Sequence, residues 1–301
     1  MKKILVLSMM LTVMTAAQAQ LKVAPKMAKG TTKVYVAEST IAIPGQKDVQ
    51  MTSETKFTVT AENADGYTME MVTTDVKSNA TDDNLAAKLM SAAENMLKGQ
   101  SIRVTTNKEG KVKAIQNYGE LKQKLDGLSN ELVDQLFQQI PMLAQAMSKE
   151  AMKQQVLEST TEENLLKTMQ NMTSPLALNG KTIMTGAQEE YVNEQGLKMK
   201  RMYFVNGKNV TTNGSMNMSK DEMKALIIEK VGKLIPDQAE MIKQNIDQVM
   251  ATGMLKLEAR ETAAYELQDD GWVKSIKTES TNEALGQQTK TTATITLKSE
   301  K

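Results

Sequence analysis

The segment from residue 51 to residue 76 reads MTSETKFTVTAENADGYTMEMVTTDV, and its apolar and polar residues alternate with a period of two on both sides of a turn. Successive side chains of a β-strand point to opposite faces, so this alternation predicts two strands with one apolar and one polar face each. Residues 64–66, Ala-Asp-Gly, separate the two runs. The segment therefore predicts a long antiparallel hairpin with one solvated face. The inward face of its second strand carries Tyr67, Met69 and Met71.

The residues from 255 to 267 repeat this design near the other end of the chain. Apolar side chains again alternate with charged or hydroxyl-bearing ones, and the apolar members are Leu255, Leu257, Ala259, Ala263, Tyr265 and Leu267. A turn at residues 269–272 reverses the chain, and a further alternating run around Ile295 predicts a last strand. Because both ends of the chain predict a meander, we hypothesise two similar halves, at about residues 20–172 and 173–301, within a single domain.

Four helical regions interrupt the predicted strands. Two of them carry apolar stripes at helical spacing, the first with Leu85, Leu89, Ala93 and Met96 behind a cap at Thr81, the second with Leu121, Leu125, Leu128, Leu132 and Leu136. Capping-box spacings at Thr160–Glu163 and Ser219–Glu222 predict further helix starts, and Pro236 divides the last region. Segregated runs of strands and helices predict an α+β fold. We expect one large curved antiparallel sheet, with meanders at both ends and amphipathic helices packed on one face.

The first 19 residues have the pattern of an export signal. Two lysines precede an apolar run from residue 4 to residue 14, and Ala17-Gln18-Ala19 is a small-residue cleavage motif. We therefore expect cleavage between Ala19 and Gln20, which leaves residues 20–301 in the periplasm or outside the cell. No later apolar run reaches the ~20 residues that a transmembrane helix needs.

The composition excludes most familiar enzyme chemistry. His and Cys are both absent from the 301 residues, which excludes imidazole and thiolate nucleophiles and the metal sites that these side chains build. Acidic pairs at Glu189-Glu190, Asp82-Asp83 and Asp269-Asp270 leave a carboxylate-based hydrolase as an alternative. Helix N-termini and turns also explain such pairs. The sequence therefore predicts a protein that is not an enzyme.

Metal and nucleic-acid binding are also not expected. Met occurs 24 times, and the spacing of Met69 with Met71 and of Met216 with Met218 places two thioethers on one strand face, an arrangement that could bind Cu(I). Methionine is more often an adaptable core residue, so we expect no metal and no cofactor. The 37 basic and 36 acidic residues are interleaved and aromatic residues are few, which argues against a nucleic-acid surface.

The inward strand faces suggest a binding role. A curved sheet lined by Met, Leu and Val beneath amphipathic helices can enclose an apolar groove for a lipid or another apolar ligand. The residues expected to contact it are Tyr67, Met69, Met71, Leu255, Leu257, Tyr265 and Leu267. The alternative is that sheet and helices close on each other as a dry core, in which case the chain is a structural or partner-binding protein of the cell envelope.

The chain resembles a family of exported bacterial proteins of unknown function. The features that carry the resemblance are the signal ending in Ala17-Gln18-Ala19, the Thr-, Met- and Glu-rich hairpin at 51–76, and the segment 102–112 with a Leu-striped helix after it. This resemblance implies a location in the cell envelope and brings no catalytic residues. The architecture is also similar, more weakly, to the periplasmic lipoprotein carriers, whose helix-covered half-barrel holds acyl chains; this similarity favours the groove.

Overall fold

The structure is a computed structural model that describes residues 20–80, 91, 95–139, 148–193, 196–234, 239–251, 257–284 and 287–300. The predicted signal segment lies outside these residues, as do Thr81, Leu85, Leu89, Ala93, Pro236 and Leu255. Among the described residues, no helix combines the length and hydropathy that are needed to cross a membrane.

The described elements give an α+β fold. The strands are β1 (Gln20–Lys22), β2 (Thr32–Ala42), β3 (Val49–Glu62), β4 (Gly66–Ser78), β5 (Ser101–Asn107), β6 (Val112–Ile115), β7 (Thr182–Met184), β8 (Gln188–Val192), β9 (Lys198–Asn206), β10 (Asn209–Met216), β11 (Glu258–Leu267), β12 (Val273–Ala284) and β13 (Gln287–Glu300). The helices are α1 (Tyr118–Gln139), α2 (Lys149–Ser159), α3 (Glu162–Met169), α4 (Lys220–Leu234) and α5 (Ala239–Ala251).

Eleven of the described strands form one antiparallel sheet, in the order β6-β5-β4-β3-β2-β13-β12-β11-β10-β9-β8. The predicted fold class, α+β with a large antiparallel sheet and meanders at both ends, is confirmed. Strand β2, which was not predicted from the sequence, pairs with β13 and joins the two meanders, with Tyr35 opposite Leu297 and Ala37 opposite Ile295. Strands β1 and β7 form a separate small sheet.

The predicted hairpins form as expected. In the first hairpin, Phe57 lies opposite Met71 and Val59 lies opposite Met69, so the alternating apolar residues share one face. Hairpins also form between β5 and β6, between β8 and β9, and between β11 and β12. Strand β11 begins at Glu258, and Leu257 therefore precedes the strand in which it was predicted.

The inner face of the sheet and two of the helices share the main hydrophobic core. Leu121 and Leu125 of α1 and Leu165 of α3 belong to the same buried cluster as Met69 and Tyr265. The chain folds this way because the leucines of α1 recur at steps of four and three, which places them on one helix face. The core is therefore continuous from the first meander to the last.

The helix starts agree with one predicted capping box and correct the other. The Ser219 hydroxyl accepts the backbone N–H of Glu222, whose carboxylate accepts the backbone N–H of Ser219 at 2.9 Å. Thr160, however, ends helix α2, and Thr161 is the residue that caps α3 by accepting the N–H of Asn164. The predicted cap at Thr160 is therefore wrong by one residue, because the Thr160 hydroxyl instead donates back to the Leu157 carbonyl.

Candidate functional site: a cleft beside helix α1

The structure places most of the predicted ligand contacts together inside the main core. Met69, Tyr265 and Leu267 are 0%, 2% and 6% exposed, and Tyr67 and Met71 are half-buried against the same cluster. The Tyr265 hydroxyl donates to the Met172 carbonyl at 2.8 Å. Leu257 is half-buried just before β11, and Leu255 lies outside the described residues. That these residues contact an apolar ligand stays a prediction.

A cleft of about 490 Å³ opens elsewhere on this core. It lies between the end of β4, the residues Ser91, Asn95 and Met96, and helix α1. Its apolar wall consists of Met96, Leu128, Leu132 and Leu136, together with Ala80. The volume falls within the ~300–1,000 Å³ range of small-molecule sites.

The wall of the cleft is continuous with the core. Met96 is 8% exposed and belongs to the main cluster, while Leu128 and Leu132 are half-buried and pack against it. On α1, Leu121 and Leu125 face the sheet and are almost fully buried, so the same stripe, continued by Leu128 and Leu132, reaches the cleft. The apolar stripe of α1 therefore closes the core at Leu121 and Leu125, and it is partly open to solvent at Leu128 and Leu132.

Polar side chains form the rim of the cleft. They are Ser78, Ser91, Asn95, Glu131 and Gln135. The Asn95 amide nitrogen donates to the Ser91 carbonyl at 2.8 Å, and the Ser78 hydroxyl accepts the N–H of Ala80 at 3.0 Å. Glu131 and Gln135 are exposed and one helical turn apart on α1. An apolar wall with a polar rim suits an amphiphile whose chain enters the cleft and whose headgroup stays at the surface.

A second polar group of residues lies on the inner face of the sheet near its β8 edge. Glu189 accepts hydrogen bonds from Lys181 at 2.9 Å and from the Tyr203 hydroxyl. The Arg201 guanidinium, on a side chain that is 9% exposed, stacks 3.6 Å from the Tyr191 ring centre. Burial raises the pKa of Glu189, but the hydrogen bonds from Tyr203 and Lys181 outweigh it and leave this pKa lowered. Glu189 is therefore held as the anion of a structural network.

The acidic pairs of the sequence are separated in the structure. Glu189 lies on the inner face of β8, whereas its neighbour Glu190 receives a hydrogen bond from Asn217 on the outside. Asp269 pairs with Lys208, and Asp270 pairs with Lys33. Asp82 and Asp83 lie outside the described residues. Each described carboxylate of these pairs thus has a different partner from its neighbour.

The rim residues of the cleft have only a partial signal in the sequence. Glu131 and Gln135 follow Leu128 and Leu132 by three residues, so the helical period could have placed them beside the stripe. Ser78 and Asn95 come from a strand end and a separate helical segment. Only tertiary packing brings these residues to α1, and no spacing in the sequence indicates it.

Comparisons with known proteins show no family. No protein-family model and no curated protein matches the chain. Three solved structures share partial similarity. Lipovitellin, in a structure of its lipid–protein interactions, is 9% identical with a TM-score of 0.38, and the match covers 92% of this chain but only 26% of the lipovitellin chain.

The two other structures are less similar in shape. An S-type phycobiliprotein lyase from Guillardia theta is 7% identical, with a TM-score of 0.21 and coverage of 91% of this chain and 90% of the lyase. A porin-like protein from Bacteroides uniformis is 9% identical, with a TM-score of 0.19 and coverage of 93% and 99%. Similarities of this size carry no argument about function.

Proposed function

We propose that this chain is an exported, non-enzymatic binding protein that holds an apolar ligand, such as a lipid chain, in the cleft beside α1. One observation carries the proposal: an apolar wall of Met96, Leu128 and Leu132 that continues the main core is partly open to solvent across a cleft of about 490 Å³. Leaving such a wall in water costs free energy, and an apolar chain in the cleft would recover it.

The affinity expected from such a site is moderate. Burial of a hydrocarbon chain contributes roughly 0.8 kcal/mol per methylene. About ten buried methylenes therefore give ~8 kcal/mol before the costs of association, so we expect an affinity that is micromolar or weaker. The rim supplies hydrogen-bonding groups for the polar end of the ligand, so no buried ionic anchor is required.

The decisive experiment is native mass spectrometry, with lipid extraction, of the protein purified from its own cell envelope. We expect a co-purified amphiphile that organic solvent releases. Binding of the neutral fluorescent probe N-phenyl-1-naphthylamine, and its displacement by the extracted lipid, measures the affinity of the same site. A protein that carries no lipid and binds no probe would contradict the proposal and favour a structural or partner-binding role with a closed core.

A pair of tryptophan variants locates the site. Leu128→Trp adds an indole to the half-buried wall of the cleft and should reduce probe affinity at least about five-fold by filling it. Phe204→Trp adds an indole on an outer strand position that is 40% exposed and should leave probe affinity unchanged. Probe binding that both variants leave intact would place the ligand elsewhere, and the inward strand faces around Met69 would then be the next candidates.

The export part of the proposal has its own test. Intact mass of the protein isolated from the envelope should correspond to a chain that begins at Gln20. Retention of residue 1 would contradict export by cleavage between Ala19 and Gln20, and it would leave the ligand site untouched.

A further inference from the structure

We infer that the cleft selects an uncharged single-chain amphiphile over an anionic one, so that its ligand resembles a monoacylglycerol more than a fatty acid. The inference rests on the proposed function and adds the class of headgroup. It is carried by the charges around the cleft and by the chemistry of the rim.

Glu131 is the charged side chain among the described residues that line the cleft. It is exposed on α1, one turn before Gln135. None of the described lining residues is a Lys or an Arg, so none of these described groups compensates the charge of an incoming carboxylate. A carboxylate headgroup held about 4 Å from Glu131 in water would lose roughly five-fold in affinity by repulsion.

The remaining rim groups suit hydroxyl headgroups. Ser78, Ser91, Asn95 and Gln135 offer hydroxyl and amide groups, which both donate and accept hydrogen bonds. A glycerol headgroup has the same dual capacity, whereas a carboxylate only accepts. Each hydroxyl of the headgroup can therefore form hydrogen bonds with the rim while both the ligand and these rim groups stay uncharged.

The size of the cleft limits the apolar part of the ligand. A volume of about 490 Å³ lies in the lower half of the usual range for small-molecule sites. A single acyl chain fits this space better than the two chains of a membrane phospholipid. Chain number and headgroup charge thus point to the same class of ligand.

The test compares 1-monolauroylglycerol with laurate, which have the same acyl chain, by displacement of N-phenyl-1-naphthylamine at neutral pH and below the micelle concentrations. Wild-type protein should bind monolauroylglycerol at least about five-fold more tightly than laurate. Glu131→Lys should remove or reverse this preference, because it replaces the repelling carboxylate with an ammonium group. Glu131 is exposed, so the variant should keep its fold, which circular dichroism verifies.

The control variant is Glu38→Lys, which makes the same change of charge at an exposed residue of β2. Glu38 is in register with Thr52 and Lys77, so its side chain lies on the sheet face opposite to that of Ser78. This variant should leave the ratio of the two affinities at the wild-type value. Equal binding of both ligands by the wild type, or an equal effect of the two Lys variants, would overturn the inference while the proposed function stands. Failure of both ligands to bind would overturn the inference together with the apolar site.

Discussion

Lys33 on β2 carries its charge on a side chain that is only 5% exposed. Its ammonium group lies 2.9 Å from the Asp270 carboxylate, 3.3 Å from the Gln268 amide oxygen, and in contact with Glu300. It also lies 5.8 Å from the centre of the Trp272 ring. One buried cation therefore ties the start of β2 to the end of β13 and to the turn between β11 and β12.

Replacement of this cation by Lys33→Met should destabilise the protein. The variant keeps the unbranched shape and most of the length of the side chain but leaves two carboxylates without their partner, and a loss of about 1–3 kcal/mol in the free energy of unfolding is expected. Lys56→Met, at an exposed lysine of β3, is the matched control and should change stability by less than about 0.5 kcal/mol. Urea unfolding measures both, and equal losses would show that Lys33 contributes nothing specific.

The same ion pairs should make stability depend on pH at both extremes. Hydrogen bonding to Lys33 lowers the pKa of Glu300 below 4.5, so this contribution is present above pH 4.5 and is lost as the pH falls through the lowered value. Burial lowers the pKa of Lys33, but hydrogen bonds to Asp270 and Glu300 outweigh burial and raise it above 10.5. This second contribution is present below pH 10.5 and is lost as the pH rises through the raised value.

The difference in urea midpoint between wild type and Lys33→Met should therefore be largest between pH 4.5 and 10.5 and shrink on either side. Urea titrations across this range give the answer. A difference that stays constant from acid to alkaline pH would mean that packing, and not charge, accounts for the role of Lys33.

Among the secondary-structure elements, the first hairpin depends on a glycine for an unexpected reason. The sequence pattern predicts Gly66 in the turn, but β4 begins at this residue and β5 lies against it. A Cβ atom at Gly66 would lie 1.8 Å from the Thr106 carbonyl oxygen. Gly66 is therefore required by the close approach of the neighbouring strand.

Gly66→Ala should consequently destabilise the protein by about 1–3 kcal/mol, because backbone atoms of β5 must move to admit the methyl group. Thermal or urea unfolding measures the loss. The comparison is Gly45→Ala, where a Cβ atom would meet nothing within 4 Å but would sit at a φ of +79°. Its cost is that of the backbone conformation alone, about 1 kcal/mol. A smaller loss at Gly66 than at Gly45 would contradict the steric argument.

Helix α1 gives the opposite expectation at Gly127. This glycine is exposed in the middle of the helix, and a Cβ atom there would meet nothing within 4 Å. Gly127→Ala should stabilise the protein by about 0.5–1 kcal/mol, since alanine loses less backbone entropy in a helix. Because Gly127 is exposed and does not line the cleft, the variant should leave probe binding there unchanged. A loss of stability would mean that α1 is not helical at this point.

The elements that could be predicted from the sequence are those with a local signal. The hairpin at Phe57 and Met71 follows from alternation, and α1 follows from its leucine stripe. Strand β2 was missed because Lys33, a charged residue, occupies a buried inward position in it. The cleft could not be predicted because its walls come from distant segments, and Met96 and Leu128 meet only through tertiary packing. Met69 and Tyr265 lie in strongly alternating segments, which is why they were predicted as ligand contacts, but they belong to the core.

For the whole molecule, the pairing of β2 with β13 decides how stability is distributed. These strands lie in the centre of the eleven-stranded sheet, while β6 and β8 lie at its edges. Backbone amides of β2 and β13 are hydrogen-bonded between long strands on both sides, and those of β8 have a sheet neighbour on one side. Central strands should therefore open only with the global unfolding of the domain.

Hydrogen exchange measured by mass spectrometry tests this expectation. Peptides from β2 and β13 should exchange most slowly, and peptides from β8 should exchange faster by at least about ten-fold, because an edge strand can open locally. Peptides from β3 and β12 serve as internal references with two neighbours each. Rapid exchange in β13 together with slow exchange in β8 would contradict the central pairing.

The pairing of β2 with β13 also has a consequence for biogenesis. The ribosome makes β2 among the first strands, but its partner is made only when residues 287–300 emerge. Until then the nascent chain holds β2 as an open edge that can recruit strands from other chains. The sheet therefore cannot close between β2 and β13 until residues 287–300 have been made, and any step that must handle this chain unfolded, such as passage through a membrane channel, can engage it during that interval.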